Sequence, residues 1–143
     1  VSSRARGFEI EARGRNRLGF LPDAAGVFPS TPVLRAEGQE YLASTVPVSA
    51  IVARLRRRGL PAFISRDAGA YLCNATLYTA LDMARRSARE HRIGFVHLPS
   101  SLLVEERRPA FGVHPRCPLT WRDAIDGGLE IIGATLGRPV ARR

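Results

Sequence analysis

Apolar residues in this chain switch between a spacing near two and a spacing between three and four, and the switches predict its elements. Phe8 and Ile10 alternate with Glu9 and Glu11, the pattern of a strand near residues 8 to 13 with one buried face. Val48, Ile51, Val52 and Leu55 recur at helical spacing, with Ser49 placed to cap that helix and Arg54, Arg56, Arg57 and Arg58 on its wet side. Gly59 and Pro61 stop it. Pro61-Ala62-Phe63-Ile64 reads as a strand, and Leu77, Ala80, Leu81, Ala84 and Ala88 continue a helical stripe from Cys73 that ends at His91-Arg92. Ile93 to Pro99 reads as a buried strand that ends in a histidine, His97, and is stopped by proline. Ser100 to Leu119 is irregular in pattern and rich in proline. Thr120-Trp121-Arg122-Asp123 then resembles a capping box, and Ala124, Ile125, Leu129, Ile132 and Leu136 form an apolar stripe closed by Gly137 and Pro139. From Leu21 to about Glu40, proline and glycine predict a surface loop. This order argues for an α/β class, with a mostly parallel sheet and helices on both faces.

Composition narrows the function classes. The 143 residues suffice for one domain with a real core, so residues 1–143 are expected to form a single domain. The formal charge is +9 and every basic residue is arginine. A basic module could bind nucleic acid. However, the arginines are spread along the chain, and no aromatic residues interleave with them for base stacking, so no nucleic-acid partner is expected. No apolar run approaches membrane-spanning length, and no membrane partner is expected. Two cysteines are too few for a disulfide framework, which fits a reducing, cytoplasmic setting.

The chemistry centres on Ser65-Arg66-Asp67-Ala68-Gly69-Ala70-Tyr71-Leu72-Cys73-Asn74, where a strand passes through a glycine turn into a helix. Cys73 falls in the first helical turn, where unpaired N–H groups and the helix dipole favour an anion and hence the nucleophilic thiolate. The alternative is a small buried hydrophobe, the usual fate of a free cysteine. His97, at the end of the following strand, is what tips the balance, because a cysteine at a helix start and a histidine at a strand end can meet at one edge of a parallel sheet. His91 fits a helix C-terminus rather than catalysis. His114-Pro115-Arg116-Cys117 has half of a metal-ligand spacing and lacks a partner pair, so no metal is expected there.

Ser65, Asp67-Ala68-Gly69, Tyr71-Leu72-Cys73-Asn74 and Gly94-Phe95-Val96-His97-Leu98-Pro99 resemble the cysteine and histidine motifs of pyroglutamyl peptidase I, the pyrrolidone-carboxylate peptidase family. Glu11-Ala12-Arg13-Gly14-Arg15-Asn16 resembles the family's Glu-x-x-Ala-x-Asn stretch, with glycine where alanine is usual. Leu21-Pro22-Asp23-Ala24-Ala25-Gly26 is similar to its Ile-Pro-Asp-Asn-x-Gly loop, and Tyr41 to Pro47 also follows the family. Before that loop an arginine and acidic residues are usual, whereas this chain has Leu18-Gly19-Phe20.

The resemblance implies a three-layer α/β/α fold and a homotetramer that removes N-terminal pyroglutamyl residues from peptides without metal or cofactor. It implies Cys73 as nucleophile, His97 as its base and Glu11 as the acidic member, with Glu9 a nearby competitor. A solvated surface glutamate is the alternative reading of Glu11. By position, Leu21 and Leu72 are candidates for the substrate-pocket wall. Roughly the first third of a typical member, with its first strand, pocket phenylalanines and glycine-rich loop, has no counterpart here. The expectation is therefore either an active peptidase or a catalytically impaired fragment or homologue of low stability.

Overall fold

A computed structural model describes residues 2–105 and 117–138. His114 with its neighbours Pro115 and Arg116, Pro109, and the tail from Pro139 onward lie outside the described residues. The elements run β1 (Phe8–Glu11), β2 (Arg13–Arg15), β3 (Tyr41–Ala43), α1 (Val48–Arg57), β4 (Ala62–Ser65), α2 (Leu72–Arg85), β5 (Phe95–His97), α3 (Ser101–Glu105) and α4 (Trp121–Thr135). β1 is the middle strand of a three-stranded sheet in the order β4-β1-β5, while β2 and β3 form a separate antiparallel pair. The Phe8 N–H donates to the Pro61 carbonyl, and four residues on the Ala12 N–H donates to that of Ser65, so β1 runs parallel to β4. The antiparallel pair departs from the parallel pattern expected, since three-residue strands carry too little alternation to be read. Ser101–Glu105 is helical where an irregular segment was expected. No helix among the described residues is long and apolar enough to cross a membrane.

The chain divides into two compact units. In the first, from residues 1–10, 47–64 and 96–143, Phe8, Ile10, Ile51, Val52 and Leu55 are buried. α1 packs on α4, whose buried residues are Gly127 and Gly133. A Cβ at Gly127 would run into the Phe8 ring, so that glycine fixes how closely α4 can lie. The apolar stripe Ile125, Leu129, Ile132 and Leu136 is exposed, with Leu129 at 63%.

Arg54 corrects the expectation of a solvated arginine face, because only 8% of it is exposed. It forms an ion pair with Glu130, donates Nη1–H to the Arg138 carbonyl at 2.6 Å, and shares Glu130 with Arg58 at 2.6 Å. The Arg54 hydrogen bond holds the Glu130 carboxyl below the usual carboxylate range, against the upward push of burial. Ser49 does not cap α1: the helix starts at Val48, Pro47 takes the cap position, and Ser49 falls inside the first turn. The Thr120–Asp123 capping box of α4 is present as read, and its hydrogen bonds to Thr120 lower the Asp123 pKa.

The second unit, residues 11–46 and 65–95, is built on Leu42, Ala68, Leu77, Tyr78 and Leu81. α2 lies across β2 and β3. Gly14 sits against the backbone of Tyr78, where an added Cβ would come within 2.9 Å of its Cα, so glycine lets β2 lie this close to α2. The Tyr78 hydroxyl donates to the Gln39 carbonyl at 2.8 Å. α2 ends at Arg85 and not at His91-Arg92. The Arg86 N–H folds back onto Met83 and Ala84, and the following Ser87, Arg89 and Glu90 offer no apolar face to bury, so Ala88 falls outside the helix. His91 instead meets the Ser87 hydroxyl at 2.9 Å.

Candidate active site

The turn from β4 into α2 is held by its own side chains. The Gly69 N–H donates to Asp67 Oδ1 at 3.0 Å and the Asp67 N–H to Ser65 Oγ at 3.3 Å. Gly69 has φ of 84°, in the left-handed region where a Cβ would be strained. This sharp reversal starts α2 at Leu72 and makes Cys73 its second residue. The Ala75 N–H is bonded to the Tyr71 carbonyl at 3.0 Å, so the N–H groups of Leu72, Cys73 and Asn74 precede the helix ladder. No acidic side chain stands in that first turn to compete for them. The half-buried Cys73 therefore belongs to the turn where backbone donors collect and a negative charge is favoured. Both Cys73 and Cys117 are free thiols.

Asn74 fixes this helix start in place. Its Oδ1 accepts the Arg15 N–H at 2.8 Å, and its Nδ2 donates to the carbonyls of Arg15 and Arg17 at 2.8 and 2.9 Å. It is buried, and all its bonds go to β2 or the residues just after it. Sequence reading included Asn74 in a motif without giving it a task; a buried amide in a first helical turn was the available signal.

A second tether joins the proline–glycine loop to the same turn. The Gly19 N–H donates to the Ala70 carbonyl, and the Tyr71 hydroxyl donates to the Pro22 carbonyl at 3.0 Å. Leu21 lies between these two ties, and Leu72 follows the second; both are exposed, at 53% and 64%, and neither is enclosed among the described residues. Phe20 and Phe28 stack on each other in this loop, a feature that alternation and turn signals do not reveal.

Glu11 is the last residue of β1 and is fully buried, which sets aside the solvated-glutamate reading; Glu9 is only partly buried. Around Glu11 the Ser44 hydroxyl donates to its carbonyl at 2.6 Å and the Ser44 N–H to that of Ala12 at 2.9 Å. His97 is the last residue of β5 and is buried. Glu11, Leu21, Leu72 and Cys73 belong to the second unit and His97 to the first.

A family model described as pyroglutamyl peptidase matches residues 11–113. The pyrrolidone-carboxylate peptidase of Thermococcus kodakarensis is 36% identical over 114 residues, 78% of this chain and 50% of that protein. Its counterpart in Erwinia tasmaniensis is 40% identical over 79 residues, 55% of this chain and 36% of that one. Among solved structures, the pyrrolidone carboxyl peptidase of Thermus thermophilus superposes with a TM-score of 0.76 at 26% identity, over 94% of this chain and 66% of its own. A mutant pyrrolidone carboxyl peptidase from P. furiosus gives 0.78 at 23% identity, over 95% of this chain and 65% of its own. The chain spans half or less of the length of these curated relatives. The matched stretch contains the β4–α2 turn with Cys73, the strand end with His97 and the buried Glu11. With that match and the α/β fold of those structures, the chain belongs to the pyroglutamyl peptidase family.

Proposed function

We propose that residues 1–143 form a cysteine peptidase domain that removes N-terminal pyroglutamyl residues from peptides, with Cys73, His97 and Glu11 as its triad. The Cys73 thiolate attacks the carbonyl that joins the pyroglutamyl residue to the next nitrogen, and the carbon–sulfur bond forms as the oxygen takes the negative charge. Backbone N–H groups at the start of α2 stabilise that oxygen. His97 takes the thiol proton and gives it to the departing amine as the carbon–nitrogen bond breaks. Water then hydrolyses the thioester and regenerates the thiol. Glu11 orients the imidazole and stabilises its cation. Leu21 and Leu72 flank the acyl site. No metal or cofactor enters this scheme. The protein works on pyroglutamyl peptides in the cytoplasm, as a homo-oligomer of the tetrameric kind that the resemblance implies.

The observation that carries this reading is the placement of Cys73 as the second residue of α2, directly after the Gly69 reversal, within a family match that includes the other two residues. The exposure of Leu21 and Leu72 supports a second reading, in which the triad is kept but the lactam pocket is not complete. Hydrolysis of a pyroglutamyl-linked fluorogenic amide separates the two. Under the peptidase reading the chain releases fluorophore, and Cys73→Ala lowers the rate by about a thousandfold or more. Folded protein that leaves the amide intact favours the second reading, and a fully active Cys73→Ala chain rules out Cys73 as nucleophile.

A further inference from the structure

The loop from Leu18 to Phe28 is more ordered by its bonds than its composition suggests. Asp23 Oδ1 accepts the N–H groups of Ala25 and Val27 at 2.8 and 2.9 Å, and the Asp23 N–H returns to the Val27 carbonyl at 2.9 Å. This closed turn brings Phe28 back onto Phe20, with ring centroids 4.7 Å apart and planes inclined by 24°. The near end of the loop is equally fixed. Gly19 approaches Ala70 so closely that a Cβ would lie 2.7 Å from its carbonyl oxygen, and Tyr71 ties Pro22. Phe20 thus sits between two ties to residues 70 and 71, immediately before Leu72 and Cys73. Yet Phe20 is 78% exposed and Phe28 49%.

Held on a frame tied to residues 70 and 71, which lead directly into Leu72 and Cys73, two stacked rings form an apolar surface that binds with little loss of side-chain freedom. An exopeptidase substrate has two unlike ends. The pyroglutamyl ring is terminal and carries a lactam N–H and carbonyl, so it needs an enclosed site with polar partners. Everything beyond the scissile bond leads out toward solvent. An open aromatic stack suits that second part and offers the lactam nothing.

We propose that Phe20 and Phe28 receive the side chain of the residue following the pyroglutamate and make the enzyme prefer substrates in which that residue is apolar, aromatic above all. This rests on the peptidase reading for the identity of the acyl group.

Binding to the Cys73→Ala chain tests it without relying on turnover. Pyroglutamyl-phenylalanine amide and pyroglutamyl-glycine amide are titrated into that protein by calorimetry. The phenylalanine compound is expected to bind about three- to tenfold more tightly. Adding Phe20→Ala or Phe28→Ala brings the ratio toward one, and Phe20→Leu, which keeps an apolar side chain, lowers it less. Equal affinities in the Cys73→Ala chain overturn the proposal, as does a ratio that survives both alanine substitutions or binding of neither compound. A clear phenylalanine preference in a chain whose intact Cys73 form leaves the fluorogenic amide uncut removes the peptidase reading and keeps this contact.

Discussion

α2 and α4 have the same kind of sequence and opposite surroundings. Both carry an apolar stripe at helical spacing, yet Leu77 and Leu81 of α2 are buried while Ile125, Leu129 and Ile132 of α4 face outward. α2 meets its neighbours through large side chains, Tyr78 among them, which pack with Leu42 and Ala68. α4 meets its neighbours through Gly127 and Gly133, so its backbone lies close and its large residues are left on the far side. What substitutes for a large-residue seam is the Arg54–Glu130–Arg58 cluster. Helical periodicity therefore says which side chains share a face, but not whether that face is the one that packs.

If this contrast is right, the largest loss comes from α2. Tyr78→Ala removes a buried ring and its hydroxyl bond to Gln39, and should cost about 3–5 kcal/mol in urea unfolding. Next is Glu130→Gln, which leaves Arg54 facing a neutral amide and should cost about 2–3 kcal/mol near pH 7, below the value for a fully buried pair because the site is partly open. Its pH dependence has a definite sign. The folded carboxyl titrates lower than the unfolded one, so its stabilisation is present above the ordinary carboxylate range and is lost as pH falls through that range toward the lowered folded value. The gap between the parent chain and Glu130→Gln should close on acidification; a gap that widens would contradict the assignment.

Two adjacent glycines of α4 should respond in opposite directions. Gly127→Ala strikes the Phe8 ring and should destabilise by about 1–3 kcal/mol, whereas Gly128→Ala enters open space and should stabilise by about 0.5–1 kcal/mol through helix propensity. The smallest effect belongs to the outward stripe. Leu129→Ala should change stability by no more than about 0.5 kcal/mol, so a loss matching that of Leu77→Ala would mean that the α4 face is covered in solution.

These contrasts also mark how much was legible in the sequence. The β4 run, the glycine reversal, the placement of Cys73 in the first turn of α2, the strand ending in His97 and the α4 capping box all follow from short-range rules, and the structure has each of them. The burial of Arg54 depends on Glu130, which lies 76 residues away, and no local pattern announces such a partner. The β2–β3 pair joins Arg13–Arg15 to Tyr41–Ala43 and lies against Tyr78 through Gly14, again contacts distant in sequence. The stop of α2 at Arg85 was misread because alanine continued the stripe to Ala88, although a lone methyl group gives little reason to extend a helix. Among the candidate residues, Cys73 and His97 follow from a helix start and a strand end and the resemblance adds Glu11, while Asn74 and the Phe20–Phe28 stack are visible only as contacts.

The side chain of Asn74 carries a consequence for how its helix turn opens in time. Helix ends ordinarily fray fastest, and their amides exchange with solvent almost as in an open chain. Here the second and third residues of α2 cannot unwind unless Asn74 releases the Arg15 and Arg17 backbone. Solvent exchange at the Arg15 N–H, bonded to Asn74 Oδ1, and at the Ala75 N–H, the first amide of the α2 ladder, should then follow the opening of β2 rather than the fraying of α2, giving the first bonded amide of this helix the slow exchange usually found at the middle of one.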